Sequence, residues 1–245
     1  MSKPKPSTRV TGEIYLSYLI ANAFIDCHVF RLCMALLFHK FDTMIPMIQP
    51  YASRPHEKMK EVLMDPSASG PDIHYYMIRG GSDKGNITVW ESGTIGGTVG
   101  KDGAREGGEY IKTYGHYHVG KLDETYTVIS GEGIIVMQVR KIGADGKPID
   151  DQIESFKAVR VKTGDSVFIP SGAGHFAVNT GKTWFVTHDD SPVNFEEKDP
   201  VSLPGHADYK PFERLHGAAY YIVEKNGKPA LVKNPNYSIV PAAQL

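Results

Sequence analysis

The chain has 245 residues, 41% hydrophobic and 22% charged, with a formal net charge of -1. These totals suit one globular domain plus an appendage, with enough apolar material for a sizeable core. They exclude the basic field of a nucleic-acid binder, so a small-molecule partner is expected. Cys27 and Cys33 are the only cysteines. Two thiols cannot build a disulfide framework, and a reducing cytoplasm suits them.

In chain order, residues 1–50 read as a helical N-terminal extension, different in character from the β-rich body. Its stretch from Tyr15 to Phe38 is rich in apolar residues. Asn22, Asp26, His28 and Arg31 interrupt it before any run reaches the roughly 18 to 20 apolar residues that a spanning helix needs. Glu13 and the lack of a small-residue cleavage site argue against a secretory signal. No membrane role is expected, and the stretch reads as an amphipathic helix that docks on the body or on a second subunit. Pro55 to Asp65 predicts a short helix, with Glu and Lys as helix formers, apolar Met59, Val62 and Leu63, and a Pro-Ser stop.

Glycine then sets the rhythm. Twenty of the 25 glycines lie between Pro71 and Asp190, and short β-rich runs fall between them. Strands are predicted over 74–79, 86–91, 109–114, 124–129, 133–139, 153–161, 166–170, 175–178 and 183–188. Many short strands separated by turn residues point to a sandwich or barrel. Asp-Gly at 145–146 and Asn-Gly at 226–227 each sit between strand-like runs, which predicts two hairpins. Residues 191–218 read as a long crossing loop, a kind of segment that is often functional.

Two stretches carry chemistry. The first is GHYHVGKLDETYTVISGEG, residues 115–133. In a strand, residues two apart share a face, so His116 and His118 point together and Tyr117 points away. Glu124 opens the next strand, and a hairpin is expected to return it beside them. Two imidazoles and a carboxylate are a partial shell for a divalent metal. Alone, a His-x-His pair on a strand is more often a surface or interface pair than a pair of ligands. The second stretch is GDSVFIPSGAGHFAVN, residues 164–179, where His175 follows a Pro- and Gly-rich reversal.

Gly164, Pro170, Gly172, His175 and Asn179 fall in the spacing G-x5-P-x-G-x2-H-x3-N, which resembles the second cupin motif. His116, His118, Glu124 and Gly131 resemble the first. The resemblance implies an all-β fold: a single cupin double-stranded β-helix, or jelly-roll barrel, over 51–245, holding one metal on His116, His118, Glu124 and His175. The gap of five residues between His118 and Glu124 is longer than in most cupins. With the wider run T-Y-G-H-Y-H-x5-E-x-Y, the hairpin at Asn-Gly and the ending KNPNY, the chain is similar to cupin-type glucose-6-phosphate isomerases over roughly residues 54–237.

That resemblance implies interconversion of glucose 6-phosphate and fructose 6-phosphate, as in glycolysis and gluconeogenesis, by a cytoplasmic homodimer. It implies phosphate contacts from Thr88, Thr113 and Gly115, whose hydroxyls and backbone N–H group suit phosphate oxygens. Glu124, the only carboxylate at the expected centre, is the candidate base for the C2 proton, with a metal-assisted hydride shift as the competing mechanism, and His206 could open the sugar ring or shuttle the oxygen proton. Tyr209 would contact substrate. The chain departs from the family in two places. One residue is inserted in its Gly-His-Ala-Asp-Tyr run, and Ser191 stands before Pro192 where the family has a tyrosine. A shell of three imidazoles and one carboxylate accepts Fe(II), Mn(II), Ni(II), Co(II) or Zn(II), and the resemblance favours Fe(II) or Mn(II). Two other readings stay open. One is a different metal cupin enzyme, a dioxygenase or an oxalate-decarboxylase-like protein, which would want an arginine such as Arg140 or Arg160 beside the metal. The other is a cupin that binds sugar phosphate without turnover.

Overall fold

The structure, a computed structural model, describes residues 51–79, 85–99, 105–191 and 207–245. The extension expected over residues 1–50, and His206 with residues 192–205 of the crossing loop, lie outside the described residues.

The described chain is built of short strands. It opens with β1 (Tyr51–Pro55), the four-residue helix α1 (His56–Met59), a 3-10 turn (Lys60–Val62), β2 (Ile73–Arg79) and β3 (Asn86–Trp90). Four two-residue strands come next: β4 (Thr94–Ile95), β5 (Thr98–Val99), β6 (Arg105–Glu106) and β7 (Glu109–Tyr110). The central run is β8 (His116–His118), β9 (Glu124–Ser130), β10 (Glu132–Ile142), β11 (Pro148–Lys162), β12 (Ser166–Ile169), β13 (Ala173–Asn179) and β14 (Phe185–Asp189). The chain closes with β15 (Ala207–Asp208), α2 (Lys210–Arg214), β16 (Tyr220–Lys225) and β17 (Lys228–Lys233).

Two large sheets carry the fold. One has six strands in the order β1-β2-β3-β14-β9-β12, and the other has five in the order β11-β10-β13-β8-β15. They share one core, in which Trp90, Val128, Ile169 and Phe185 of the first sheet join Ile134, Val136, Phe176 and Val178 of the second. A smaller sheet, β17-β16-β7-β4, flanks them. The jelly-roll expectation holds, as two open facing sheets rather than one fully hydrogen-bonded barrel.

The predicted strands all appear, with shifted ends. The run at 109–114 is strand only at Glu109–Tyr110. Beyond it Ile111 N–H bonds the carbonyl of Gly93 and Thr113 N–H bonds that of Ala177, so this segment crosses between sheets. Both hairpins form. Asn226 and Gly227 have φ of 53° and 70°, the pair of left-handed residues that a tight two-residue turn needs. The helix predicted over 55–65 is one α turn continued as a 3-10 turn. A buried lysine ties it down: Lys112 Nζ donates to Val62 O at 2.6 Å and pairs with Glu109. The expected crossing loop is not all loop, because its described part contains β15 and α2.

Strand alternation alone would turn the wrong face of β3 inward. In NITVW the apolar Ile87 and Val89 are only half-buried, while Asn86, Thr88 and Trp90 point inside. The pattern repeats on the neighbouring β14, where Phe185, Thr187 and Asp189 are buried. Cross-strand pairs Trp90–Phe185, Thr88–Thr187 and Asn86–Asp189 therefore run from an aromatic floor to a polar end. Burying that many polar groups is costly unless each serves a partner or a ligand.

Candidate metal centre

His116 and His118 reach the interior because β8 is a three-residue strand between β13 and β15. Gly115 makes the entry turn. Its φ is 85°, and a Cβ there would lie 2.6 Å from the Phe212 ring, so only glycine fits without displacement. Tyr117 points the other way, as strand geometry requires. Its hydroxyl accepts from Gln138 Nε2 at 2.8 Å, and its ring lies 3.8 Å beneath the Arg140 guanidinium.

His175 lies on β13 directly opposite His116. Gly174 beside it is a close-approach glycine rather than a turn residue, since a Cβ there would meet the Tyr117 ring at 2.5 Å. The ligand atoms of His116, His118 and His175 all lie within 4.8 Å of one another. Glu124 comes from the opposite sheet, at the start of β9. This corrects the expected hairpin: β8 and β9 do not pair, and the carboxylate faces the imidazoles across the gap between sheets. Its Oε2 is 2.9 Å from His175 Nε2 and 3.3 Å from His118 Nε2.

Electrostatics and hydrogen bonding prepare these groups for a cation. His118 Nδ1 lies 2.8 Å from the Leu122 carbonyl, which can only accept, so Nδ1 carries the proton and Nε2 presents its lone pair inward. Burial by itself would raise the Glu124 carboxyl, but the His175 charge and the closeness of the His118 and His116 imidazoles hold it well below the usual range. For His118, burial opposes protonation and Glu124 outweighs it, so the imidazole is raised from its ordinary value. Buried Glu124 Oε2 and His175 Nε2 face each other without hydrogen-bond geometry. Three imidazoles and a carboxylate converging in this way fit a divalent cation, which would replace the proton that Glu124 draws onto His118.

Of the other predicted site residues, Tyr209, Thr88 and Thr113 are described, and His206 lies outside the described residues. Tyr209, half-buried, sets its ring 5.0 Å from that of His116. Thr88 is buried on the inward face of β3, opposite Thr187. Thr113 accepts the Ala177 N–H at 3.0 Å through its hydroxyl oxygen, which leaves the O–H able to donate elsewhere. Asn179 of the second motif is structural: buried, it donates to the carbonyls of Glu91 and Thr183. Arg140 is engaged by Asp150 at 2.5 Å, and Arg160 is exposed, so neither serves an acid substrate at the centre. A separate cavity of about 370 Å³, lined by residues such as Leu63, Tyr221, Val232 and Pro235, contains none of these groups.

Sequence reasoning missed Asp189. It is 6% exposed, and its Oδ1 accepts from Asn86 Nδ2 at 2.7 Å and from Ser191 Oγ at 2.5 Å. Burial, reinforced by the Glu124 charge, pushes its carboxyl up to about 7. Ser191, which stands in place of the family's tyrosine, is buried and belongs to this cluster. The signal that could have found Asp189 was the alternation of β14, which turns it to the same face as Thr187.

Facing sheets with three imidazoles and a carboxylate between them define a metal-site cupin. The model of the glucose-6-phosphate isomerase (GPI) family matches residues 72–239, more than half of the chain. The protein belongs to this cupin-type glucose-6-phosphate isomerase family. No curated protein matches it. Among solved structures, an oxalate decarboxylase is matched at 15% identity over 47% of this chain and 25% of that one, with a TM-score of 0.31. A predicted oxalate decarboxylase from Thermotoga maritima is matched at 17% identity over 58% of this chain and 90% of that one, with a TM-score of 0.33. The capsular polysaccharide assembling protein CapF from Staphylococcus aureus is matched at 18% identity over 50% and 27%, with a TM-score of 0.30. The match thus spans about a quarter of the oxalate decarboxylase's length, and likenesses this partial decide neither fold nor chemistry. Among the described residues, no helix is long and apolar enough to cross a membrane.

Proposed function

We propose that the protein is a metal-dependent aldose–ketose isomerase interconverting glucose 6-phosphate and fructose 6-phosphate. The observation that carries this reading is the placement of Glu124. It is a buried carboxylate kept ionised, within 2.9 Å of one metal-type imidazole and 3.3 Å of another. Membership of the family supports the substrate class.

His116, His118, His175 and Glu124 would hold the cation. Bound there, a divalent metal supplies Lewis-acid polarisation of the sugar's C1 and C2 oxygens. Glu124 takes the proton from C2, and the electron pair left behind forms the enediol double bond. The same carboxyl returns the proton to C1, while one proton passes between the two oxygens. While acting as the base, Glu124 would be at most a loose ligand of the cation. His206 is assigned to ring opening or to the oxygen proton. Thr88, Thr113 and the Gly115 N–H are assigned to the phosphate, and Tyr209, beside His116, to the sugar. A hydride shift from C2 to C1 is the competing route, and it would carry a C2 deuterium to C1 without wash-out into solvent. Fe(II) or Mn(II) is the preferred metal, with Ni(II), Co(II) and Zn(II) also suited to the donor set. A cytoplasmic homodimer belongs to the same proposal.

The deciding experiment converts fructose 6-phosphate to glucose 6-phosphate in a coupled assay, after EDTA and then with Fe(II) or Mn(II) restored separately. Activity that vanishes and returns supports the isomerase. A protein that binds metal stoichiometrically yet stays silent is not one.

A further inference from the structure

The polar end of the inward-facing row on β3 and β14 is not explained by the four metal-type side chains. Asp189 lies opposite Tyr126 of β9, and Glu124 is two residues along from Tyr126 on the same strand and face. Asp189 and Glu124 are therefore diagonal neighbours on one sheet face. The Tyr126 ring sits edge-on to His175, with centroids 5.6 Å apart. Three donors from two residues converge on one oxygen of Asp189. Asn86 Nδ2, Ser191 Oγ and Ser191 N–H, at 2.7, 2.5 and 3.2 Å, all reach the same oxygen, Oδ1. Asn86 Nδ2 also bonds Ser191 Oγ at 3.0 Å and its carbonyl at 3.2 Å, so the clamp is itself tied together. All three residues are buried.

Charge balance gives this arrangement a purpose. Three neutral imidazoles and one carboxylate leave a divalent cation with one uncompensated positive charge inside the protein. A buried unpaired charge is strongly unfavourable, and a second buried carboxylate nearby removes it. Without the cation, the same two carboxylates repel each other across the face.

We propose that Asp189, clamped by Asn86 and Ser191, is a positioning carboxylate of the metal centre that stands behind Glu124 and raises the affinity of the site for a divalent cation. The inference rests on the metal-binding part of the proposed function and is independent of the reaction catalysed. Ser191 acquires a role through it, as one half of the clamp on Oδ1.

The test is direct metal binding by the full-length chain. Mn(II) is titrated calorimetrically into EDTA-treated wild type and Asp189→Asn, and the bound ion is followed by its electron paramagnetic resonance spectrum. The amide keeps an oxygen for Asn86 and Ser191 and removes the charge. The expected result is a dissociation constant about 10- to 100-fold higher in the variant, with stoichiometry retained and an altered Mn(II) spectrum. A purely structural role would instead lower the stability of the metal-free variant and leave its dissociation constant unchanged, and that outcome overturns the proposal. If Asp189→Asn does not fold, Ser191→Ala replaces it. It keeps the carboxylate and loosens the clamp, and a several-fold weaker Mn(II) affinity is expected. An unchanged constant there overturns the proposal equally. A wild type that binds no Mn(II) stoichiometrically overturns the metal centre itself. Wild-type binding with an unaffected variant overturns Asp189 alone.

Discussion

Nε2 of His175, on the five-stranded sheet, stands 2.9 Å from Oε2 of Glu124, on the six-stranded sheet. The two sheets thus meet through a carboxylate and an imidazole rather than through apolar packing at this point. Glu124→Gln keeps the shape and removes both the base and the negative charge. We expect kcat for fructose 6-phosphate isomerisation to fall by about 10²- to 10⁴-fold, as for loss of a general base. Steady-state kinetics in saturating Mn(II) check this. A variant retaining more than a tenth of wild-type kcat would remove Glu124 from the proton transfer.

The three imidazoles are buried or half-buried and converge within 4.8 Å, so metal binding should be visible as stability. With free cation at a hundredfold its dissociation constant, the linkage contribution is about 2.7 kcal/mol. Wild type is expected to show a higher melting temperature in Mn(II) than in EDTA. His118→Ala and His175→Ala should each lose that difference. Differential scanning calorimetry with and without EDTA measures it, and a metal-induced rise that persists in both variants would place the cation elsewhere.

Asp189 makes a pH prediction whose sign is opposite to that of an ordinary paired carboxylate. Burial and the Glu124 charge raise its carboxyl to about 7, whereas an unfolded aspartate titrates near 3.9. The folded state therefore binds this proton more tightly than the unfolded state does. The contribution is fully present below the unfolded value and is lost as pH rises toward 7. Metal-free wild type should lose stability relative to Asp189→Asn by about 1.4 kcal/mol per pH unit between pH 4 and 6, below the range in which His118 titrates. Glu124, held low, adds a slope of opposite sign at about pH 4 to 5, where an unfolded glutamate titrates, but both proteins carry it and it drops out of the comparison. Urea unfolding of both proteins across the window tests this, and parallel pH profiles would contradict it.

Gly115 and Gly120 flank the HYH strand, and both have positive φ, 85° and 78°. They differ in surroundings. A Cβ on Gly115 meets Phe212 at 2.6 Å, while a Cβ on Gly120 meets nothing within 4 Å. Gly120→Ala should cost about 1 kcal/mol of backbone strain. Gly115→Ala should cost more, about 2–4 kcal/mol, and should also weaken Mn(II) binding, because His116 is the next residue. Chemical denaturation and Mn(II) titration of the pair compare the two effects. Equal costs would show that the Phe212 contact yields freely.

Local chemistry was legible in the sequence because it depends on spacing within a few residues. Asn226-Gly227 specified its own turn. Most of the short strands between glycines were found with shifted ends, while the run at 109–114 is strand only at Glu109–Tyr110. His116 and His118 share a face by strand geometry alone, and His175 was identified by the turn residues that precede it. Nothing so local could show that Glu124 faces them from the other sheet. That depends on β8 pairing with β13 while β9 pairs with β12 and β14. Alternation in NITVW likewise points to the apolar face as the inner one. The structure turns Asn86 and Thr88 inward instead, where they meet the equally buried Asp189 and Thr187 of β14. The Asn86–Asp189 bond joins residues 103 apart. Such a contact exists only once β3 and β14 are in register, and strand pairing across long loops is settled by the packing of whole sheets. The sequence by itself therefore determined the metal-type residues and the all-β character of this protein. Tertiary structure decided that Glu124 faces the imidazoles from the other sheet and that Asp189 is buried on the same sheet face, because burial and charge proximity belong to the assembled sheets and to no single segment.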